Sequence, residues 1–403
     1  MDADGSRPGP LTGVRVVELA MWVAAPACGA LLADWGADVI KVEPPVGDPM
    51  RGLVKFGVPD ADPVFELDNR GKRSITLDLS DAGGRAVLEE LLATADVFLS
   101  NLRPAALDEF GLAPDALCER FPRLIVATLT GFGEQGAHRD RPSYDMGGFW
   151  ARSGLAAMHT PVGAEPPTLR GAAGDHLSSV GFAGGVCAAL FEREHTGRGR
   201  HVSTSLLRNG MWALSQDANI TLRVDAELPT NGRASASNPL YNSYRTADDR
   251  WLWLLGLVPD PQWPRIAAAL GRTEWLDDER FSTMVGRAQH GAELKAMLEA
   301  EIAARTLDEW RPILEQADVW WEPVATLREA LADPQAAAAG VFLELERPDG
   351  TSVPTIAGPI TFAGGSTRAT RHPELGEHTE ELLLSLGHDW PEIVELRESG
   401  ALG

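Results

Sequence analysis

One carboxylate stands alone in the stretch "RGAAGDHLSSVGFAGGVCAAL", which runs from Arg170 to Leu190. Asp175 lies between a glycine and a long run of small residues with helical spacing. An aspartate just before such a run usually caps the helix, because its side chain accepts hydrogen bonds from the first free N–H groups. A carboxylate can also serve as a nucleophile that forms a covalent intermediate. This stretch alone favours the cap, and the rest of the chain decides whether Asp175 is also a reagent.

The elements that must position Asp175 alternate along the first 200 residues or so. Short β-branched segments such as "VRVVELA" and "SITLDLS" are followed by helical ones such as "APACGALLADWGA" and "DAGGRAVLEELLATA". This alternation predicts βαβ units and a parallel sheet. The loops after the carboxyl ends of such strands are where open α/β sheets bind ligands. We therefore expect an α/β protein with a large Rossmann-like domain and its site on those loops.

The character of the sequence changes after about Leu222. A polar stretch with many small residues, Pro and Gly follows, which is typical of a linker or a surface loop. Tryptophan-containing and helix-like segments come next and predict a second, smaller α+β domain. The predicted organisation is a large domain that begins with 1–222, a linker 223–237, the small domain 238–323 and a tail 324–403 that returns to the large domain.

Bulk properties exclude several classes of function. The 403 residues carry a net charge of −22, which disfavours nucleic acid or an anionic membrane as a partner. The three cysteines are widely spaced and form no disulfide or metal pattern. The sequence shows no signal-peptide pattern and no long apolar run, so we expect a cytoplasmic protein. It has neither an HExxH motif nor a clustered set of Asp, Glu and His, so we expect no metal site.

Seven separate strings of the sequence resemble one family, the class III CoA-transferases, which includes formyl-CoA and carnitine CoA-transferases and the α-methylacyl-CoA racemases. They occur in the family's order across nearly the whole chain, at 36–51, 69–79, 100–112, 141–155, 174–179, 196–207 and 375–387. The resemblance implies an interlocked homodimer. It also implies acyl-CoA donors and carboxylic-acid acceptors as substrates, with no tightly bound cofactor.

The resemblance gives Asp175 the role of the nucleophile. Its carboxylate would attack the thioester of the donor to form a mixed anhydride, and the released CoA thiolate would then form an aspartyl thioester. Helix N–H groups would keep the carboxylate ionised. Small neighbours, Gly174, Ser178 and Ser179, would allow close approach, although helix packing explains them equally well. His176 could tune the site, but a histidine at a helix start is more often a bystander.

The resemblance also implies which residues line the CoA groove and hold its phosphates. Arg103 is the first choice for a phosphate contact, with Lys72, Arg73 and Arg141 as alternatives. The groove positions that match the family are Val23, Ala24, Leu77, Asn101, Leu102, Arg103 and Tyr144.

Two departures from the family pattern leave other functions open. Glu109 stands where relatives often have a basic residue, and the segment Arg233 to Pro239 is less glycine-rich than a typical flap, which weakens the case for formyl or oxalyl substrates. One alternative is a 2-methylacyl-CoA racemase or epimerase, which needs two opposed acid/base groups. Tyr144 occupies the position of the racemase histidine, which favours transfer. The other alternative is a CoA-binding regulator without activity.

Overall fold

The structure, a computed structural model, describes residues 8–53, 62–224, 228–230, 233, 238–347, 350–365 and 368–403. The chain divides into two compact units. The first consists of Met1–Ala157, Pro167–Leu228 and Ala337–Gly403, and the second of Met158–Pro166 and Pro229–Ala336. The second unit is thus wider than the predicted small domain 238–323. No helix in the described ranges is long and apolar enough to cross a membrane.

A six-stranded sheet forms the centre of the first unit. Its strands are β1 (Arg15–Leu19), β2 (Asp38–Glu43), β3 (Arg73–Thr76), β4 (Val97–Ser100), β5 (Ile125–Thr130) and β6 (His201–Ser205). They lie in the order β3-β2-β1-β4-β5-β6, and every neighbouring pair is parallel. This is the strand order of the Rossmann fold, and it confirms the predicted α/β class. The order reverses between β1 and β4, where such sheets bind their ligands.

Helices cover both faces of this sheet because its strands are apolar on both sides. In the first part of the unit they are α1 (Ala24–Asp34), α2 (Pro63–Asn69), α3 (Ala82–Thr94), α4 (Pro104–Glu109), α5 (Pro114–Arg120), a π-helix (Met146–Ala151), α6 (Leu155–Met158), α7 (Ala173–Thr196), α8 (Leu206–Ala213) and α9 (Ser215–Val224). Alternate strand residues enter two different cores: Val16 and Val39 face the core that contains α1 and α7, and Val17 and Ile40 face the core of α3.

The second unit has its own antiparallel sheet and its own core, in which Tyr244 and Trp310 are fully buried. Its elements are β7 (Tyr241–Arg245), β8 (Trp251–Leu255), α10 (Pro259–Ala269), a 3-10 helix (Thr273–Leu276), α11 (Met284–Gln289), α12 (Gly291–Ile302), α13 (Leu307–Gln316), β9 (Trp321–Pro323) and α14 (Leu327–Ala332). The sheet order is β7-β8-β9.

The C-terminal part of the chain begins at the end of the second unit, and its last two helices pack in a core of the first unit. It contains α15 (Pro334–Ala338), β10 (Phe342–Glu346), β11 (Ser352–Ile356), β12 (Arg368–Ala369), α16 (Thr379–Leu386) and α17 (Trp390–Glu398). Leu382 and Ile393 lie in the same core as α3. The last residues reach the carboxyl edge of the sheet, since Leu402 forms a bridge with Leu77.

One glycine pattern on this edge has no counterpart in the sequence-based expectations. Gly131, Gly133 and Gly136 follow β5 with the spacing of a dinucleotide-binding loop. In such a loop the last glycine opens a helix. Here the chain continues without regular structure from residue 131 to residue 144, so the spacing alone does not make a dinucleotide site.

Candidate functional site

Asp175 lies in the first turn of α7, as its third residue. The helix begins earlier than the sequence pattern indicates, because Gly171 and Ala172 both adopt positive φ angles, of 69° and 50°, and turn the chain into it. Asp175 is therefore not the cap. The N–H of Gly174 instead donates to Oδ2 of Asp145 at 3.3 Å, so the cap comes from the start of the π-helix. The predicted capping role of Asp175 is wrong.

Gly174 allows the π-helix to approach α7 this closely. A Cβ atom at this position would lie 2.7 Å from Cγ of Phe149 and 2.8 Å from Cβ of Asp145. The hydroxyls of Ser178 and Ser179 donate to carbonyls within α7, at 2.7 Å each. The hydroxyls of these two serines therefore have hydrogen-bond acceptors within α7. Gly174, in contrast, allows Asp145 to lie close to the start of the helix that carries Asp175.

The environment of Asp175 favours its neutral form. Burial raises the pKa of Asp175 to about 7, and the negative charge of Asp145 acts in the same direction. His176 opposes both effects and lowers the pKa. Within the described residues no hydrogen bond reaches the Asp175 carboxyl group, so the helix N–H groups do not stabilise its charge as the sequence analysis expected. A carboxyl group of this kind, half-buried and incompletely paired, is typical of functional sites.

His176 is held by Asp68, a residue that the sequence analysis did not single out. Its Nε2 atom lies 2.9 Å from Oδ1 of Asp68, and its Nδ1 atom lies 3.2 Å from the carbonyl oxygen of Gly171. Asp68 is buried near the end of α2. No local signal identifies this contact, because the two side chains are 108 residues apart.

An apolar wall adjoins the start of α7. Val23 belongs to a small cluster with Phe65, against which Trp22 and Ala172 pack. The Trp22 ring meets the exposed ring of Tyr144 edge-on, with 5.4 Å between ring centroids. Trp22 has a φ of 68°, a conformation that is rare and costly for a bulky residue and often marks a functional segment. The structure thus joins two predicted groove residues, Val23 and Tyr144, through Trp22, and Ala172, three residues before Asp175, packs on the same cluster.

Three other predicted groove residues, Ala24, Asn101 and Leu102, follow β1 and β4, between which the strand order reverses. Asn101, just after β4, donates from Nδ2 to the carbonyl of Met21 at 2.6 Å and accepts from the Met21 N–H at 3.1 Å. This pair joins the loops after β1 and β4. Leu102 is half-buried beside it, and Ala24 is buried at the start of α1.

Arg103 and Arg141 are exposed near this crevice. Nη1 of Arg103 makes only a long contact, 3.4 Å, with the carbonyl oxygen of Asp140. The guanidinium of Arg141 lies 5.9 Å from the ring centre of Phe132. Neither arginine has a carboxylate partner in the described part of the chain. Both are therefore available to an anion.

Lys72 and Arg73 do not lie where they could contact a phosphate, in contrast to the prediction from the sequence. Nζ of Lys72 is fully buried, lies 2.7 Å from Oε2 of Glu18, and also donates to Asn69 and to the carbonyl of Pro26. These partners use all its protons, and the ammonium persists at neutral pH because burial lowers its pKa only to about 8. A phosphate would find no free donor on Lys72.

Arg73 begins β3 and so lies at the amino edge, away from the ligand-binding edge. Its guanidinium pairs with Asp38 at 2.6 Å and with Glu381 at 2.9 Å. The sequence already indicated this position at the amino edge, since Arg73 directly precedes the segment "SITLDL", which was predicted to be a strand. Leu77 follows that strand at the carboxyl edge, but its side chain is buried in the core.

A buried ionic cluster, formed by Glu18, Lys41, Asp48 and Lys72, fixes the loop after β1. Lys41 lies 3.2 Å from Glu18 and 2.8 Å from Asp48. Lys41 also donates to the carbonyl of Ala20, and Asp48 accepts from the N–H of Trp22. Hydrogen bonds from these buried charged side chains to the backbone of Ala20 and Trp22 thus fix the strained segment that carries Trp22.

The two positions at which the sequence departs from the family pattern are Glu109 and the segment Arg233 to Pro239. Glu109 is exposed at the end of α4. Within the flap segment, Ala234 to Ser237 lie outside the described residues, while Arg233 pairs with Glu299. No group of three or more His, Cys, Asp or Glu side chains in the described ranges could hold a metal ion.

Comparison with known proteins finds relatives over nearly the whole chain. The family model for CoA-transferase family III matches residues 11–379. The chain is 34% identical to the cinnamoyl-CoA:phenyllactate CoA-transferase of Clostridium sporogenes, over 96% of each chain. It is 32% identical to the (R)-2-hydroxy-4-methylpentanoate CoA-transferase of Clostridioides difficile, over 96% of this chain and 98% of the relative.

Solved structures show the same relationship. A D175A mutant of Rv3272 from Mycobacterium tuberculosis, in that protein's own numbering, superimposes with a TM-score of 0.83 at 29% identity, covering 93% of this chain and 99% of the other. A CAIB/BAIF family protein from Brucella suis gives a TM-score of 0.81 at 31% identity and covers 94% and 100%. With matches of this length in sequence and in structure, the chain belongs to CoA-transferase family III.

Proposed function

We propose that this family III CoA-transferase uses Asp175 as its nucleophile and exchanges CoA between carboxylic acids through covalent aspartyl intermediates. The observation that carries the proposal is the environment of Asp175. Its carboxyl group is half-buried at the start of α7 and receives no hydrogen bond within the described residues, and an apolar cluster packs against Ala172, the residue before this helix. A carboxylate without solvating partners is a stronger nucleophile than one in water.

The reaction balances without any added acid, base or oxidant. An Asp175 oxygen attacks the donor thioester carbon, the C–S bond breaks, and a mixed anhydride and a CoA thiolate result. The thiolate attacks Cγ of Asp175, which releases the donor acid and leaves an aspartyl thioester. The acceptor carboxylate then attacks Cγ and frees the thiolate, which in turn attacks the acceptor's carbonyl carbon. Asp175 leaves as a carboxylate, and the acceptor leaves as its CoA thioester.

The raised pKa of Asp175 sets the pH at which this chemistry starts. Only the ionised carboxylate attacks a thioester, so activity should fall as the pH drops below about 7. Each attack also creates an oxyanion, which backbone N–H groups would stabilise.

The CoA moiety would lie over the crevice between β1 and β4. Val23, Asn101 and Leu102 would line it, and Arg103 and Arg141 would contact its phosphates. A protein with a net charge of −22 needs such a local basic patch to bind an anion. By resemblance to the family, we also expect the active form to be a homodimer.

The apolar wall supports acids with apolar side chains as substrates. Trp22 and Ala172 pack on the cluster that contains Val23, and the Tyr144 ring meets Trp22 edge-on, so this wall lies beside the residue that precedes α7. The two relatives from clostridia carry names of this type, phenyllactate and 2-hydroxy-4-methylpentanoate. We therefore expect phenyllactate to be a faster acceptor than oxalate or succinate.

Trapping the covalent intermediate tests the proposal. The protein is incubated with an acyl-CoA and then treated with hydroxylamine or borohydride, and peptides are analysed by mass spectrometry. We expect a hydroxamate or a reduced side chain at Asp175. The Asp115→Asn variant, which changes an exposed first-turn aspartate of α5, should still give the adduct. An active enzyme with an unmodified Asp175 would contradict the proposal.

A further inference from the structure

The contacts of His176 determine its charge. Its Nε2 atom lies 2.9 Å from a carboxylate oxygen of Asp68 and its Nδ1 atom lies 3.2 Å from the carbonyl oxygen of Gly171. Both partners are acceptors, since a carbonyl oxygen carries no proton. A neutral imidazole has one N–H and can satisfy only one of them. The doubly protonated imidazolium satisfies both, so this geometry favours a positive charge on His176 at neutral pH.

Asp68 holds this charge from a rigid position. Its side chain is 4% exposed, and the next residue, Asn69, accepts a hydrogen bond from Lys72 at 2.9 Å. Lys72 belongs to the buried ionic cluster, so α2 is tied to the centre of the sheet. A buried carboxylate is costly without an opposite charge. His176 supplies that charge, and the Asp68 carboxylate in turn raises the pKa of His176.

The charged groups around Asp175 show how the Asp68–His176 pair affects the pKa of Asp175. The groups that act on Asp175 are Asp145 from the π-helix, Asp68 from α2 and His176 from α7. The two aspartates raise the pKa of Asp175, and His176 is the group that lowers it. Burial by itself would lower the pKa of His176, but the hydrogen bond and charge of Asp68 raise it above its usual value.

We propose that Asp68 and His176 form a charged clamp that fixes the start of α7 and holds a positive charge beside the Asp175 carboxylate. His176 is a positioning residue, because it acts through Asp175, and Asp68 acts through His176. The clamp also binds the carbonyl of Gly171, one of the two residues whose positive φ angles turn the chain into α7. This inference rests on the proposed nucleophilic role of Asp175.

Nuclear magnetic resonance of the imidazole nitrogens tests the charge directly, without any substrate. Protein labelled with nitrogen-15 histidine is titrated, and His176 is assigned from the signals that disappear in His176→Gln. We expect both nitrogens of His176 to be protonated at pH 7 in the wild type. Asp68→Asn should lower the pKa of His176 by at least about one unit, as expected when a hydrogen-bonded counter-charge is removed. A neutral His176 at pH 7 in the wild type would overturn the clamp.

The pH dependence of kcat/KM tests what the charge does. In His176→Gln and in Asp68→Asn, the acid limb should move to higher pH by about half a unit or more, since the positive charge beside Asp175 is lost. At pH 7 kcat should fall about twofold for a shift of half a unit and about fivefold for a shift of one unit, with little change in KM for the CoA donor. His176→Lys, which keeps a positive charge, should recover part of the shift. An acid limb that stays in place in both variants would overturn the proposal.

A matched control and a separate readout keep this test apart from that of Asp175. His195→Gln changes a histidine at the far end of α7 that contacts a carbonyl at 2.9 Å, and it should leave the profile unchanged. At high pH, where Asp175 is ionised without help, Asp68→Asn should still form the trapped adduct. Absence of that adduct in active wild-type enzyme would refute the nucleophile, while the imidazole spectra would still decide the charge of His176.

Discussion

Helix α2 contacts two groups of charged side chains that differ in how well their charges are paired. Through Asn69 it contacts the buried ionic cluster, in which Glu18 lies within 3.2 Å of both lysines. Through Asp68 it contacts the group at the start of α7, where His176 is the cation that acts on Asp175. The first group is balanced, whereas the second leaves the Asp175 carboxyl group without a hydrogen bond in the described structure.

This difference teaches where the molecule is stable and where it can react. A buried charge whose partners are all present holds strands and loops in place, and removal of one partner is strongly destabilising. A buried carboxyl group with an incomplete set of partners has a displaced pKa and excess reactivity. The same helix thus contacts a region of paired charges and the region in which we propose that the chemistry takes place.

Asp175→Ala should have the largest effect and would test the reactive side of the comparison. We expect transferase activity to fall by about a thousandfold or more, because loss of a nucleophile removes the covalent route. Affinity for CoA should change little, since the substitution removes few contacts with CoA. Steady-state kinetics and calorimetric titration with CoA measure the two quantities. Retention of more than about a hundredth of the activity would be hard to reconcile with covalent catalysis.

Lys72→Met should come next and would test the stable side. Removing one member of a buried ion pair costs about 3–5 kcal/mol, so the free energy of unfolding should fall by this amount. Arg73→Met is the matched control, because its ion pairs are partly exposed and worth about 1 kcal/mol or less. Urea denaturation compares the two variants. If the two variants are equally stable and KM for CoA is raised in Lys72→Met, Lys72 contacts a phosphate of CoA, as the sequence predicted.

Arg103→Ala should raise KM for the CoA donor about tenfold, the value of one charge-assisted hydrogen bond of about 1.5 kcal/mol. The turnover number should change little, because a phosphate contact far from the thioester stabilises ground and transition states alike. Arg120→Ala is the control, since that arginine already pairs with Glu89. If Arg103→Ala leaves KM unchanged at low salt, Arg141 is the next phosphate contact to substitute.

Asp175→Asn should stabilise the fold slightly above pH 7. The pKa of Asp175 is raised in the folded state from 3.8 to about 7, so ionisation of this carboxyl group costs stability between these values and above them. The neutral variant avoids this cost, by an amount on the order of 1 kcal/mol after allowance for solvent. The gain in the melting temperature should be present at pH 8 and absent near pH 4. A variant that is less stable than the wild type at pH 8 would show that the charge is satisfied after all.

Tyr144→Phe should have the smallest effect. The Tyr144 ring packs on Trp22, and its exposed hydroxyl makes no hydrogen bond in the described structure, so activity should change by about threefold or less. In deuterium oxide, a chiral 2-methylacyl-CoA should gain no deuterium at its α-carbon with either protein. Deuterium uptake that disappears in Tyr144→Phe would favour racemisation, with the tyrosine as an acid/base group.

The sequence predicted the parts of this protein that depend on local patterns. Alternating strands and helices led to a parallel sheet, and the match of short strings led to the family, both of which were confirmed. Placing Asn101 and Arg103 after a strand also needed only local order, because the carboxyl ends of parallel strands share one edge. The same reasoning, applied to Arg73, would have put it at the other edge.

Only the tertiary structure decided which charges are paired. Lys72 and Glu18 are separated by 54 residues, and His176 and Asp68 by 108, yet each pair is in direct contact. A side chain's charge and reactivity depend on the groups within a few ångströms of it, and these are brought together by the packing of α2 and α7 on the sheet. Sequence spacing by itself determined that the chain has a carboxylate at a helix start and lysines and arginines near strand ends. Folding determined that the charge of Lys72 is paired with Glu18 in the core, while the Asp175 carboxyl group has no hydrogen-bond partner in the described structure. The reason is that burial and long-range contacts set the balance between desolvation and pairing.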